Sequence, residues 1–395
     1  VTIANVSKPV SGSQTVIPTL FMRGGTSRGP FFYAPDLPTE RELRDRVLAA
    51  VMGSPHPLQV DGIGGGHPLT SKVGIVSASH EDGVDLDFTF AQLQPGNTGV
   101  QTTANCGNML SAVVPYALET GLITPADETT TAVVRTLNTG LVAEITVHTP
   151  RTEDENRQNF EVAYEGDTAI DGVGGTASPI EIMFRDTEGS VASALLPTGN
   201  ERDTVVLDSG QELETTMIDN GQPMVLIRAG DVARSGYEDP TELNEDAALK
   251  ALLEELRLKS AERMGLGDVR DKSYPKMTLI AEPRNGGALS TRCFIPHVAH
   301  ESIGVLAAVT VATAACMDGS VVSGLATPGD GLERVLSIEH PSGEFLVDLE
   351  LSENGHVQRA GITRTARLLM SGHVYVPQAV WNPADGQSQT EERTS

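Results

Sequence analysis

The sequence predicts an α+β protein of two pseudo-twofold-related domains, each a strongly curved, mostly antiparallel sheet wrapped around a central buried helix. Three observations lead there. The 395 residues exceed what one hydrophobic core ordinarily supports, which argues for two domains. Short alternating or β-rich runs fill most of the chain. Two segments, one in each half, are apolar on nearly every side, and a helix of that kind must be buried all round.

Taken in order, the first sixteen residues are polar and read as a tail, 1–16. Strand-like runs follow: TVIPTLFM, PFFYA, TSKVGIV, LDFTFAQL, the hairpin-like TTAVVRTLNTGLVAEITVHT, then MVLIRA, KMTLIAEP, VLSIEH, EFLVDLEL and HVYVP. Charges on one face and Leu or Val at helical spacing predict amphipathic helices over Glu40 to Met52 and Thr241 to Met264, packed outside the sheets. The all-apolar segments GNMLSAVVPYALETGL and SIGVLAAVTVATAACM predict central helices over 106–121 and 302–317. Pro115 should kink the first of them. The domains are therefore expected at 17–188 and 189–377, with the last strand free to return to the first domain, and a second tail at 378–395.

Composition removes several classes of function. Only 28 Lys+Arg stand against 53 Asp+Glu, a formal net charge of -25, and a phosphate backbone needs a basic face. Nucleic acid is not an expected partner. No apolar run reaches the roughly 18 residues of a membrane span, and the N-terminus lacks the basic-then-apolar order of a signal peptide. A cytoplasmic protein without membrane partners is expected. Cys106, Cys293 and Cys316 are scattered singly, giving neither a disulfide framework nor paired zinc spacing. No metal and no cofactor are expected, because no cluster of carboxylates and histidines has ligand spacing.

Both central helices begin with polar residues, Asn105-Cys106-Gly107-Asn108 in the first half and His300-Glu301-Ser302-Ile303-Gly304 in the second. Helix starts present unpaired N–H groups that hold carboxylates. If the halves pair about a twofold axis, both starts face one cleft and grip one ligand. Simple capping is the plain alternative for Asn105 and Ser302. Cys106 at a helix start is a candidate proton carrier, whereas Cys293 and Cys316 read as packing residues. His297 and His300 have ordinary core or surface readings. The pair His300-Glu301 is no zinc-peptidase motif, since Gly304 stands where the second histidine belongs.

The run Asp61-Gly-Ile-Gly-Gly-Gly-His-Pro-Leu-Thr-Ser-Lys72 is the densest glycine cluster. It is no dinucleotide fingerprint, because His67 replaces the third glycine and a strand follows. Ser71 and Lys72 close it. Lys72 is either an edge lysine that snorkels or a base beside the cleft. Arg23-Gly-Gly-Thr26-Ser27-Arg-Gly29 resembles a nucleophile elbow only superficially, as a strand rather than a helix comes next. It reads as a loop whose amides and hydroxyls grip an anion, or as a plain turn.

These stretches together resemble the PrpF-like isomerases, which share the diaminopimelate epimerase fold. The matching pieces are MRGGTSRG, DGIGGGHPLTSKVGIV, ANCGNML, LLPTGN, IPHVAHESIGVLAAVTVATA, EHPSG and RTARLLMSGHVYVP, running from Phe21 to Pro377 in the family's order. Gly74 and Ala307 depart from the wording common in the family. The resemblance implies two barrel-like halves with the active site between them, and it gives Lys72 and Cys106 as proton carriers. Because the second helix start offers Ser302 and no cysteine, a two-thiol epimerase mechanism is disfavoured.

The activity so implied is a cofactor-free 1,3-proton shift on a small unsaturated di- or tricarboxylate. The wording is nearest to 4-oxalomesaconate tautomerases, with aconitate, methylaconitate and methylitaconate isomerases next. Amino-acid epimerisation and a non-catalytic helper role are the remaining readings. Lys72 would remove the proton and Lys72 or Cys106 return it. Arg23, Thr26, Ser27, Ser71, Asn105, Gly107, Asn108, Arg292, His300, Ser302 and Gly304 would hold the acid. The expected partners are that acid and, at most, a second copy of the chain in a homodimer.

Overall fold

The computed structural model describes residues 12–103, 105–125, 127–151 and 160–383. The chain divides into two compact units, one running to Ile182 and resuming at Arg364, the other Met183–Thr363.

The first unit begins with β1 (Gln14–Gly24) and β2 (Ser27–Tyr33), continues through α1 (Arg41–Met52), β3 (Lys72–Ala78), β4 (Leu86–Leu93) and the short β5 (Val100–Gln101), and reaches α2 (Gly107–Leu110), α3 (Val113–Thr120), β6 (Thr129–Thr136) and β7 (Val142–His148). β8 (Ile180–Arg185) crosses to the second unit, which holds β9 (Asp203–Val206), β10 (Glu212–Asp219), β11 (Pro223–Arg228), α4 (Pro240–Glu245), α5 (Ala247–Arg263), β12 (Lys276–Ala281), β13 (Leu289–Phe294), α6 (Val305–Ala315), β14 (Glu333–His340), β15 (Gly343–Leu351) and β16 (Val357–Arg364). β17 (Ala366–Pro377) belongs to the first unit, where it pairs antiparallel along the full length of β1.

Strand alternation sorts each sheet into two faces. In the first unit Phe32, Val73, Ile75, Ala91 and Leu93 pack with Val47, Leu48, Val51 and Met52 of α1 in one core cluster. The opposite face carries Phe31, whose ring lies 5.8 Å from that of Tyr116 on α3. In the second unit Val225, Ile227, Met277, Leu279 and Phe294 pack with Leu249, Leu253 and Leu256 of α5. The almost wholly apolar α6 is buried from Ala307 to Ala315. The α+β architecture expected from the sequence is thus observed, with a polar-faced helix on one side of each sheet and an apolar helix on the other.

Several element ends differ from expectation for local reasons. The first central helix is broken at Ser111 and Ala112, and Pro115 sits in the first turn of α3, where its missing N–H costs no helical bond. The segment Thr241 to Met264 is two helices. Asp239 forms a capping box around α4, and Asp246 then ends α4 and caps α5 by accepting from the Leu249 amide.

Of the segments read as tails, residues 1–11 and 384–395 lie outside the described residues. Gln14 already pairs with Pro377, and Val380 and Trp381 pack against the α1 core. Burying an indole is worth more than a polar tail's freedom. Gly74, one of the departures from the family wording, has a steric reason. A Cβ there would lie 2.4 Å from the Phe31 ring.

Candidate active site

The residues of the first unit gather on the face of its sheet that meets α2 and α3. Lys72 opens β3 on the same face as Gly74 and Phe31, and is only 8% exposed. Its Nζ donates to Gln92 Oε1 at 2.5 Å across one rung of the β3–β4 pair, and lies 5.0 Å from the centre of the Phe90 ring, an ordinary cation–π distance. Gln92 cannot turn away. Its amide nitrogen donates to the carbonyls of Pro68, Ser71 and Leu93 at 3.0, 3.1 and 2.8 Å.

Phe90 links this lysine to the start of α2. Its backbone N–H donates to Asn138 Oδ1 and its carbonyl accepts from Asn138 Nδ2, both at 2.8 Å. The next residue, Thr139, accepts from Asn105 Nδ2 at 2.5 Å. Asn105 precedes Cys106, the half-buried N-cap of α2. From the other side Asn108 Nδ2 donates to Thr26 Oγ1 at 2.9 Å. The turn joining β1 and β2 is pressed onto α2, since a Cβ on Gly24 would lie 2.2 Å from the Asn108 carbonyl oxygen. Gly25, at φ +50, would meet the Asn108 side chain at 2.1 Å.

α2 packs against β1, β2 and β4, the strands around Lys72. Thr26, Ser27, Lys72, Asn105, Cys106, Gly107 and Asn108 are therefore brought to one region of the first unit. Two buried polar atoms there have no hydrogen-bond partner among the described residues, Ser27 Oγ and Asn105 Oδ1. Leaving such atoms unpaired costs about 1–3 kcal/mol each. The Thr139 hydroxyl can donate as well as accept, so the Asn105 amide can turn and present its NH2 instead. Both groups are equipped to receive a polar ligand.

Other residues singled out in the sequence serve the frame. Arg23 gives its Nη1 to the carbonyls of Gly25 and Thr365 and to the Thr365 hydroxyl, at 2.9 to 3.1 Å. Burial, with Arg367 nearby, lowers its pKa from the ordinary arginine value. Ser71 Oγ donates to Gln59 Oε1 at 2.7 Å. That same oxygen accepts from the Gly66 amide at 3.0 Å, so the glycine-rich loop closes around Gln59 rather than around an open space. A Cβ on Gly64 would sit 2.1 Å from Gln59 Oε1.

In the second unit His300, Ser302 and Gly304 lie at the start of α6, with Gly304 as N-cap. The His300 ring folds back on Ser302, its Nδ1 at 2.9 Å from both the amide nitrogen and the carbonyl oxygen of that residue. Ser302 Oγ is 3.4 Å from His340 Nε2. Arg292 is not with them. It pairs with Leu279 on β12, and Leu279 belongs to the α5 core. Its Nε donates to the Glu238 carbonyl at 2.6 Å and its Nη1 to the Thr291 carbonyl at 2.9 Å. A strand shows successive side chains to opposite faces, so Arg292 falls on the α5 side, away from α6.

Cys293 faces the other way and is 1% exposed. Burial pushes its thiol up from the ordinary value. Cys316 caps the C-terminal end of α6, its thiol likewise raised by burial. Neither thiol stands at a helix start. His297 lies 3.5 Å from the Glu254 carboxylate, at the surface. Among the described residues no three His, Cys, Asp or Glu side chains converge as metal ligands, and no helix is long and apolar enough to cross a membrane.

Gln92 and Asn138 were not legible as site residues beforehand. The available signal was Gln92 itself, a polar residue at an inward position of the alternating run Leu86, Phe88, Phe90, Gln92.

A crystal structure described as a methylitaconate-delta-isomerase matches this structure with a TM-score of 0.82 at 31% identity, covering 93% of this chain and 97% of that one. A protein of Novosphingobium sp. (strain KA1) named (4E)-oxalomesaconate Delta-isomerase is 48% identical over 91% of this chain and 97% of its own length. A 4-oxalomesaconate tautomerase of Pseudomonas putida is 48% identical over 93% of this chain and 98% of its own. Fold and relatives define the class, an isomerase on the α+β fold of that methylitaconate isomerase. The chain belongs to the PrpF protein family, whose pattern matches residues 14–377.

Proposed function

We propose that the protein catalyses a cofactor-independent 1,3-proton shift on a small unsaturated di- or tricarboxylate, with 4-oxalomesaconate the first choice of substrate. The observation that carries this reading is the grouping, in one region, of a fixed lysine, a helix-start cysteine and two buried polar groups without a partner among the described residues. The names of the two relatives that share 48% identity favour 4-oxalomesaconate over methylitaconate.

In this mechanism Lys72, held by Gln92, presents its amine to a C–H bond next to the unsaturated system. The amine takes the proton, the C–H electron pair becomes a new C=C bond, and charge spreads through the conjugated system onto oxygen. Ser27, Asn105 and Asn108 hold that oxygen or the neighbouring carboxylate with preorganised donors. The third carbon then receives a proton, either the same one from Lys72 or the thiol proton of Cys106, and the original double bond is lost. In the second case the Lys72 ammonium gives up its proton and the thiolate regains one, restoring the resting enzyme. Holding base and substrate in register supplies further rate enhancement.

A panel assay tests the reading. The protein is offered 4-oxalomesaconate, both aconitates and methylitaconate, with ultraviolet absorbance and deuterium uptake from solvent followed in parallel. Turnover of one of these, lost by about 10²–10⁴-fold in Lys72→Ala and strongly reduced in Cys106→Ser, is expected. Full turnover in both variants would remove the proton-carrier assignment. Deuterium exchange on amino acids instead of these acids would point to an epimerase.

A further inference from the structure

The two units repeat one succession of strand pairings. In the first, β1–β2, β2–β3, β3–β4, β4–β6 and β6–β7 are antiparallel, parallel, antiparallel, parallel and antiparallel. In the second, β10–β11, β11–β12, β12–β13, β13–β14 and β14–β15 follow the identical order. A polar-faced helix precedes β3 and β12, and an apolar helix follows β4 and β13. Under this correspondence β12 is the counterpart of β3, and their first residues are Lys276 and Lys72.

The match extends to the neighbours. Two residues into β3, Gly74 lies opposite Phe90, whose ring faces Lys72. Two residues into β12, Thr278 lies opposite Cys293, whose buried thiol is the group felt by Lys276. Lys276 is on the face away from α5, and a methyl group on Gly304, the N-cap of α6, would lie 3.6 Å from its Nζ.

One difference matters. Lys72 is tied to Gln92, but Lys276 has no hydrogen-bond or ion-pair partner among the described residues. The residue that would face it across the sheet, one past Phe294, is Ile295, which offers no side-chain acceptor. Burial lowers the pKa of Lys276 from the ordinary lysine value. Lys276 is half-buried, and a cation partly withdrawn from water without an anion is disfavoured, a cost that an arriving carboxylate relieves.

We propose that Lys276 is a carboxylate-binding lysine of the second unit, the topological counterpart of Lys72 in the first, whose ammonium takes up a carboxylate of a small polycarboxylate. The assignment rests on the polycarboxylate reading above. It gives the second unit a ligand group of its own, in place of Arg292, which faces α5.

The test uses tricarballylate, a saturated tricarboxylate that cannot be isomerised, titrated calorimetrically into the intact protein. Lys276→Met keeps the aliphatic stem and removes the charge. Its affinity for the probe should fall by about tenfold or more, while Lys276→Arg stays within about threefold of the unaltered protein. In turnover, Lys276→Met should raise KM by about tenfold with kcat nearly unchanged, the pattern of lost binding. An unchanged probe affinity in Lys276→Met overturns the proposal and leaves Lys276 a snorkelling lysine. A fall in kcat at constant KM overturns it also, making Lys276 a proton carrier. If Lys276→Met does not fold, loss of probe binding in the folded Lys276→Arg protein decides against it. Probe binding that depends on Lys276, with no turnover of any unsaturated acid, would sink the isomerase substrate reading while leaving Lys276 as a carboxylate ligand.

Discussion

Gln92 Oε1 accepts the hydrogen bond of Lys72 Nζ at 2.5 Å, and three backbone carbonyls hold the Gln92 amide so that this oxygen points nowhere else. Gln92 is thus a positioning residue for Lys72. Gln92→Leu is expected to lower kcat by about tenfold to a hundredfold, with a smaller change in KM. Steady-state kinetics beside a thermal melt separate this from simple instability. A variant that melts earlier but turns over normally would deny Gln92 the role.

Gly29 is a steric requirement of the neighbouring β2–β3 pair. A Cβ there would lie 1.8 Å from the Lys72 carbonyl oxygen, which belongs to backbone and cannot swing aside. Gly29→Ala should push β2 from β3 and destabilise by about 1–3 kcal/mol or more. Urea denaturation measures it, and a midpoint equal to that of the unaltered protein would show that the strands approach less closely.

Glu339 supplies acid sensitivity. Burial pushes its carboxyl up, but the amides of Arg284, Asn285 and Gly287, at 2.6 to 3.0 Å, with Arg292 beyond them, outweigh this and hold it below the ordinary 4.5. A depressed carboxyl contributes stability that is complete above its unfolded value and is lost as pH falls through the lower folded value. Glu339→Gln should therefore cost about 1–3 kcal/mol at neutral pH and flatten the loss of stability below pH 4.5. Melting curves from neutral to acidic pH check the sign; a variant whose deficit grows on acidification would contradict it.

Trp381 closes the α1 core from beyond the last strand. It packs there with Val380, its carbonyl accepts from Thr15 Oγ1 at 2.5 Å, and the Gln378 amide donates to the Ser13 carbonyl at 3.1 Å. A chain ending at Pro377 should lose about 1–3 kcal/mol and melt several degrees lower than one ending at Pro383. Equal melting of both truncations would return this segment to the status of a tail.

The local patterns went far. Alternating runs placed the strands around the site, apolar composition marked α6 as interior, and the motifs around Lys72, Cys106 and Asn105 were visible without coordinates. The glycine-rich loop was less transparent. Its glycines serve the packing of Gln59 and the main chain around it, and composition alone does not say whether close approach is to a ligand or to the protein itself.

What the sequence by itself determined is which residues share a face, because strand alternation and helical periodicity are local geometry. Which face meets which helix was decided only by tertiary structure. Arg292 and Cys293 are neighbours in sequence, yet one joins the α5 side and the other lies with Lys276 on the opposite side. Gln92 reaches Lys72 through a pairing of residues far apart in the chain. The burial of apolar surface selects such pairings for the whole sheet at once, and no short window of sequence contains that sum.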